Sequence, residues 1–338
     1  NGEMNGRDKL NSFIRKTEQL TIVRSVRSGL VNMIPVLIIG AFALIIKEFP
    51  IDAYKQFINT FAGGLIYSLF NLVFAATFGV LSVYMTYSIS RSYMKIKADS
   101  EAVSGGAVIA SLVSFFILSG SYLDDFGTAN MGAKTLFLAI ITGLGASALY
   151  LLFDRLFRKL KRSLFSTGAD REFNRMLATF FPILCTVAIF AIINQIVISV
   201  SHHDSFRSLL AAAFNALFEV IPSGFLRGFF FVFLSSLMWF FGIHGSDTLE
   251  QVMQDHFVEG LKLNQEAIAS GGEASAVLTK EFFDCFVLMG GCGATICLLI
   301  AILIFSRNRA HRGAGLHGGF PDDIQHKRAY GVRASHNT

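Results

Sequence analysis

The sequence is poor in charge, proline and cysteine. Asp, Glu, Lys and Arg make up 16% of its 338 residues, and there are only 5 prolines, 4 cysteines and 1 tryptophan. Soluble domains usually carry about 25% charged residues, so an ordinary soluble domain is excluded. The few cysteines exclude a disulfide-rich scaffold, and the few prolines exclude a collagen-like chain. By contrast, 53% of the residues are hydrophobic and 35 residues are phenylalanine, which indicates an integral membrane protein.

Seven apolar runs have about the length of a membrane-spanning helix, which needs about 20 mostly uncharged residues. They are residues 29–46, 65–90, 103–120, 135–153, 177–200, 229–242 and 285–305. The sixth run is short unless it begins before Arg227. The first is too long for a signal peptide and lacks a cleavage site of small residues, so we expect it to stay in the mature protein.

Positive charge is concentrated in alternate loops between these runs. Sixteen cations lie in residues 1–28, 91–102 and 154–176. The intervening loops hold only four, which are Lys47, Lys55, Lys134 and Arg207. Because cytoplasmic loops are rich in Lys and Arg, we predict that the N-terminus is cytoplasmic and that the chain is outside near His202. The cations form no continuous stripe, so nucleic-acid binding is not expected.

The pattern of closely spaced spans changes after the fifth run. Residues 209–221 predict a short amphipathic helix ended by Pro222 and Gly224. Residues 246–280 are polar, and 270–276 predict a loop. The sequence therefore predicts an all-α integral membrane protein, a multi-span helical bundle with a basic N-terminus (1–28), a five-helix half (29–205) and a second half (206–313).

Glycines interrupt two apolar segments of the second half. Gly242 and Gly245 flank residues 243–244, and Gly290, Gly291 and Gly293 interrupt the seventh run. Irregular backbone at membrane depth is tolerated only where protein or a water-filled cavity satisfies it, so such segments point to a transport site. The alternative is that these glycines only allow helices to pack closely.

His244 and Trp239 each have two interpretations. The His244 imidazole could hydrogen-bond a sugar hydroxyl and move a proton, or it could bond the last carbonyls of a helix. Trp239 could anchor the chain at the membrane interface or stack on a sugar ring.

Three segments resemble enzyme IIC, the membrane subunit of bacterial phosphotransferase systems. They are NMIPVLIIGAFALIIKEFP (32–50), FFGIHGSD (240–247) and FFDCFVLMGGCGAT (282–295). The resemblance covers residues from about Asp8 to Gly313. It is greatest to the branch that takes lactose, cellobiose and diacetylchitobiose.

The resemblance implies a homodimer in the bacterial inner membrane, packed through its N-terminal helices. The second half would contain re-entrant hairpins and carry a β-linked disaccharide across the bilayer. His244 would contact the sugar hydroxyl that is phosphorylated, and Trp239 would lie at the sugar site. The site would also include Gly245, Gly290, Gly291 and Gly293.

The phosphate would come from the phosphocysteine of a separate enzyme IIB, because this chain resembles no IIA or IIB domain. Its own cysteines lie in apolar segments, where a raised pKa makes a thiol a poor nucleophile. They are Cys185, Cys285, Cys292 and Cys297. We therefore expect no phosphorylated residue, cofactor or metal ion in this chain.

The C-terminus departs from the family, which continues with a segment of the type Phe-Asn-Ile-Asn-Glu-Pro whose glutamate also contacts the sugar hydroxyl. Residues 314–338 instead read AGLHGGFPDDIQHKRAYGVRASHNT. Suitable codons for this tail, read one nucleotide later, encode an apolar segment that contains Asn-Ile-Asn-Glu. We therefore predict an out-of-frame, disordered tail after Gly313, an incomplete sugar-binding half and a chain that does not transport. The alternatives are a solvated cytoplasmic tail and a histidine-rich metal site.

Two other hypotheses belong to different functional classes. Residues 202–204 (His-His-Asp) could bind a metal ion, but no partner at ligand spacing accompanies them, and a surface loop is favoured. A membrane sugar-sensing module with a cytoplasmic signalling domain is the alternative to a permease.

Overall fold

A computed structural model describes residues 20–98, 101–124, 128–157, 171–201, 203–222, 224–240 and 245–288, which contain no β-strand. The all-α prediction is confirmed. The first seven helices are α1 (Thr21–Lys47), α2 (Asp52–Thr60), α3 (Leu65–Thr77), α4 (Leu81–Lys97), α5 (Glu101–Ser119), α6 (Leu136–Leu156) and α7 (Arg171–Ser201). They are followed by α8 (Phe206–Glu219), α9 (Phe225–Phe240), α10 (Gly245–Thr248), α11 (Glu250–Met253), α12 (Glu259–Ala269) and α13 (Lys280–Phe282). Two π-helical turns, Gln254–Val258 and Phe283–Val287, follow α11 and α13.

Four helical segments in the described residues are long and apolar enough to cross a membrane. They are Thr21–Lys47, Leu65–Lys97, Ala133–Leu156 and Leu177–Ser201. Two shorter apolar helices, Val103–Ser119 and Phe225–Met238, coincide with the third and sixth predicted runs. The sixth run therefore does begin before Arg227, as its length required. Most of the seventh run lies outside the described residues.

The second span is longer than predicted and contains a break. A 3₁₀ turn at Phe78–Val80 separates α3 from α4, and α4 continues to Lys97. Arg91, Lys95 and Lys97 were expected in a loop, but they lie on the last turns of this helix. The physical reason is Met94, which is fully buried and extends the apolar face of α4 by one turn.

Helix α4 lies at the centre of the first half, in contact with α1, α5 and α6. Its Ile89 is fully buried, and Gly29 of α1 and Gly143 of α6 approach it. A Cβ atom on Gly29 would lie 2.7 Å from Cγ1 of Ile89, so only glycine permits this approach. Close contact through small residues is a common way in which membrane helices associate.

Three buried serines join α4, α5 and α6 in a hydroxyl cluster. Ser90 Oγ lies 2.7 Å from Ser147 Oγ, and Ser111 Oγ donates to Ser90 Oγ at 3.1 Å. Ser111 and Ser147 also reach backbone carbonyls of their own helices. The cluster thus buries three polar groups between helices without leaving any of them unpaired.

The chain divides into two compact units, residues 1–259 and 260–338. In the first unit, α8 confirms the amphipathic helix predicted at 209–221. Ser205 and Ser208 cap its N-terminus reciprocally, and it ends at Glu219, before Pro222. In the second unit, the predicted loop at 270–276 is confirmed, and Asn264 holds it through two hydrogen bonds to the backbone of Ala276, at 2.7 and 2.9 Å. The predicted boundaries at residues 28, 205 and 313 stay predictions.

Candidate functional site

The predicted site residues fall at the end of α9 and beyond it. Trp239 is the penultimate residue of α9, and Gly245 is the first residue of α10. The side chain of Trp239 and all of His244 lie outside the described residues. Gly290, Gly291 and Gly293 lie outside them as well, so the predicted re-entrant hairpins stay a prediction.

Gly245 packs directly against the backbone of α9. A Cβ atom on this residue would lie 2.2 Å from the carbonyl oxygen of Ser235 and 2.6 Å from its Oγ. Real Cβ atoms do not approach backbone that closely, so no other residue fits without moving α9 or α10. The motif Gly-Ile-His-Gly therefore ends at a residue whose lack of a side chain lets α10 pack against α9.

The hydroxyl of Ser235 is buried at this contact. Ser235 is 3% exposed, and its Oγ has no hydrogen-bond partner among the described residues. An unpaired polar atom that is buried costs about 1–3 kcal/mol. Such atoms are typical of places where a ligand or a further segment completes the hydrogen bonding.

A second group of polar side chains lies between α8 and the π-helical turn Gln254–Val258. Asn215 Nδ2 donates to Asp255 Oδ2, whereas Asn215 Oδ1 and His256 Nε2 are buried without a partner in the described part of the chain. Beside them, Gln254 Nε2 donates to Glu250 Oε1 at 2.6 Å. We call Asn215, Asp255 and His256 the α8 polar cluster.

Apolar side chains surround the α8 polar cluster. The ring of Phe218, which is fully buried, lies 6.2 Å from the imidazole of His256. Burial lowers the pKa of His256 from its ordinary value of 6.5, and the nearby Arg227 cation lowers it further, while Asp255 and Glu219 oppose the shift. His256 is therefore neutral near pH 7 and can both donate and accept a hydrogen bond.

The sequence did not predict the α8 polar cluster. Asn215 and Asp255 are 40 residues apart along the chain, so no local spacing connects them. One local signal was present, because Asp255 and His256 stand between the apolar residues Met253 and Phe257, both of which are buried. Polar residues between two buried apolar residues indicate a polar group that is packed inside the protein.

The described residues form no group that could bind a metal ion. Among residues 20–288, apart from the gaps in the description, no three His, Cys, Asp or Glu side chains are grouped to hold a metal ion. His202 lies outside the described residues, so the metal hypothesis at 202–204 is not tested. Cys185 and Cys285 are free thiols.

Comparison with known protein families decides the membership of the chain. Residues 27–319 match the phosphotransferase system EIIC family. This range includes the five spans of the first half and the Gly-Ile-His-Gly motif. The chain belongs to this family. EIIC proteins are integral membrane proteins, in agreement with the apolar helices found here.

Individual EIIC proteins are similar to this chain over most of its length. The oligo-beta-mannoside-specific EIIC component of Bacillus subtilis (strain 168) is 26% identical, with 84% of this chain and 64% of the relative covered. The cellobiose-specific EIIC component of Geobacillus stearothermophilus is 22% identical, with 91% and 70% covered. The chain thus spans about two thirds of the length of the EIIC relatives it matches.

A solved EIIC structure has the same fold. It is the crystal structure of the transporter ChbC, the IIC component of the N,N'-diacetylchitobiose-specific phosphotransferase system. The TM-score is 0.57 at 23% identity, with 90% of this chain and 72% of that chain covered. The protein in that structure is named a transporter, and the alternative of a sugar-sensing module receives no support.

Proposed function

We propose that this chain is the sugar-translocating permease component of a bacterial phosphotransferase system and that its substrate is a β-linked disaccharide. The observation that carries the proposal is the family match across the Gly-Ile-His-Gly motif. The named relatives act on β-mannoside and cellobiose sugars. Cellobiose, lactose and diacetylchitobiose are therefore the substrates to test first.

The proposed site residues are those that the resemblance to the family indicates. His244 contacts the sugar hydroxyl, Trp239 stacks on the ring, and Gly245, Gly290, Gly291 and Gly293 let the backbone approach the sugar. The buried hydroxyl of Ser235 beside Gly245 supplies a further hydrogen-bonding group. Helix α10 also contacts the turn Ala133–Thr135.

The chemistry requires a partner protein. The sugar hydroxyl oxygen attacks the phosphorus of an enzyme IIB phosphocysteine, the phosphorus–sulfur bond breaks, and the thiolate leaves. His244 takes the hydroxyl proton or orients it. This chain binds and positions the sugar, and it carries no phosphorylated residue of its own.

Every uptake measurement uses the chain whose reading frame after Gly313 has been corrected by removing one nucleotide. The decisive experiment is the uptake of radiolabelled cellobiose by cells that express this corrected chain with its IIB partner. We expect His244→Ala to abolish uptake while membrane insertion persists. Removing one partner from a buried polar site costs about 1–3 kcal/mol, or about one to two decades in affinity. His203→Ala is the matched control, because this histidine lies outside the proposed site. Unchanged uptake by His244→Ala would contradict the assignment.

Orientation and assembly are part of the same proposal. With the N-terminus cytoplasmic, a membrane-impermeant thiol reagent should label a cysteine placed at Gly127 in intact cells and spare one placed at Ser163. The reverse pattern would contradict the orientation. We also propose a homodimer through the N-terminal helices, where the apolar residues Phe42 on α1 and Leu72 on α3 are strongly exposed. Cross-linking of cysteines introduced there tests it.

We also propose that residues 314–338 are translated out of frame and that the chain with this tail does not transport. DNA sequencing through the codon of Gly313, followed by removal of one nucleotide there, tests the idea. Uptake should appear only in the corrected form. Equal uptake by both forms would contradict it.

A further inference from the structure

A polar cavity of about 410 Å³ lies between α1 and α4. Its lining includes Asn32, Val36, Tyr84, Tyr87, Arg91 and Lys95. Ser88 also lines it and donates a hydrogen bond to the carbonyl of Gly29 at 2.8 Å, which ties the two helices together at the cavity wall. The cavity is thus a preformed groove between two packed membrane helices. We call it the α1–α4 groove.

The α1–α4 groove is positively charged. Arg91 and Lys95 are one helical turn apart on α4, and no carboxylate belongs to the lining. Within the part of the chain that is described, Lys95 makes no hydrogen bond or ion pair. Both side chains are exposed, and two neighbouring cations at one end of a groove attract an anion more strongly than either does alone.

Arg91 is held in position for such an anion. Its Nη1 donates to the hydroxyl of Tyr87 at 2.8 Å, and its guanidinium carbon lies 5.9 Å from the centre of the same ring. A guanidinium has five N–H donors in a planar fork, so one bond to Tyr87 leaves others for two oxygens of a phosphate. The Tyr87 contact therefore orients Arg91 without using up its donors.

The α1–α4 groove becomes apolar away from its charged end. From Lys95 to Tyr84 it follows α4 for about 16 Å, at 1.5 Å per residue. Val36 and the fully buried Met33 line it on the α1 side. A soluble anion would use only the charged end, whereas a phospholipid has a phosphate followed by acyl chains and matches both parts. Basic pockets between transmembrane helices are known to suit anionic headgroups.

We infer that the α1–α4 groove binds an anionic phospholipid, with its phosphate on Arg91 and Lys95 and an acyl chain along Val36 and Met33. The site depends on membrane insertion and not on sugar transport. The cation pattern assigns this end of α4 to the cytoplasmic leaflet, where such lipids are accessible.

Native mass spectrometry of the full chain in detergent, titrated with dioleoylphosphatidylglycerol or dioleoylphosphatidylcholine, tests the inference. We expect the anionic lipid to bind more tightly, and the double variant Arg91→Gln/Lys95→Gln to weaken its binding by about 30-fold, or about fivefold for each cation. The matched control is Lys97→Gln/Arg155→Gln. It removes the same charge from exposed helix ends outside the groove and should change binding by no more than about twofold.

A second variant tests the apolar part separately. Val36→Trp fills the apolar part of the groove, so it should weaken phosphatidylglycerol binding although both charges remain. Equal losses in the two double variants would overturn the inference, because the attraction would then be general. Displacement of the lipid by an equal concentration of inorganic phosphate would assign the groove to a soluble anion. A changed oligomeric state with unchanged lipid binding would assign it to a subunit contact.

Discussion

Two regions of the first unit differ in whether their buried polar groups are hydrogen-bonded. Between α4, α5 and α6, the hydroxyls of Ser90, Ser111 and Ser147 bond to one another and to backbone carbonyls. Around α8 to α11, Asn215 Oδ1, Ser235 Oγ and His256 Nε2 are buried without a partner in the described residues. Membrane helices satisfy polar groups that serve packing, whereas unpaired groups cluster where a ligand or another segment must bind.

The contrast has two exceptions within the first region. Ser114 Oγ and Tyr150 Oη are also buried without a partner in the described part of the chain. Each is a single hydroxyl, and neither belongs to a group that includes a titratable imidazole. The presence of His256 among the unpaired groups distinguishes the second region.

The largest expected effect comes from Gly245→Ala. Its new Cβ would lie 2.2 Å from the backbone oxygen of Ser235, so α9 and α10 must separate, and sugar uptake should be lost. Gly105→Ala is the matched control, because nothing lies within 4 Å of a Cβ there. In the interior of α5 this change should stabilise the protein by about 0.5–1 kcal/mol. Uptake of both variants, together with their thermal unfolding in detergent, measures the difference. Full uptake by Gly245→Ala would refute the close packing.

An intermediate effect is expected from deleting hydroxyls in the two regions. Ser111→Ala breaks the hydrogen bond to Ser90 and should lower the free energy of unfolding by about 1 kcal/mol. Ser235→Ala removes a hydroxyl that has no partner among the described residues, so stability should stay unchanged or rise. Its effect should appear instead as weaker sugar binding, measured by isothermal calorimetry. An equal loss of stability in both variants would show that the two regions do not differ in the hydrogen bonding of their buried hydroxyls.

The smallest expected effect is a pH dependence from His256. Because its pKa in the folded protein lies below 6.5, the unfolded chain binds a proton more readily, and stability falls as the pH decreases below about 6.5. Between pH 7.5 and 5.5, the wild type should therefore lose more thermal stability than His256→Gln. His203→Gln serves as the control and should behave as the wild type does. A larger loss in His256→Gln would contradict the direction of the shift.

The helices of the first half were predictable because each span must hold about 20 apolar residues, and this requirement is visible in the sequence. The extension of α4 to Lys97 was not predictable, because it depends on Met94 packing against side chains from distant parts of the chain. The same holds for the α8 polar cluster and the α1–α4 groove. Both are formed by residues from different helices, and no local pattern indicates which helices will pack together.

The fit of Ile89 between Gly29 and Gly143 has a mechanical consequence. For α4 to slide along α1 by one helical pitch, about 5.4 Å, the Ile89 side chain would have to pass through the backbone of both neighbours. In the 3₁₀ turn before α4, the Phe78 ring would lie 2.5 Å from a Cβ atom on Gly40, and this close contact opposes the same displacement. Two glycines of α1, Gly29 and Gly40, therefore hold the second span in register with the first.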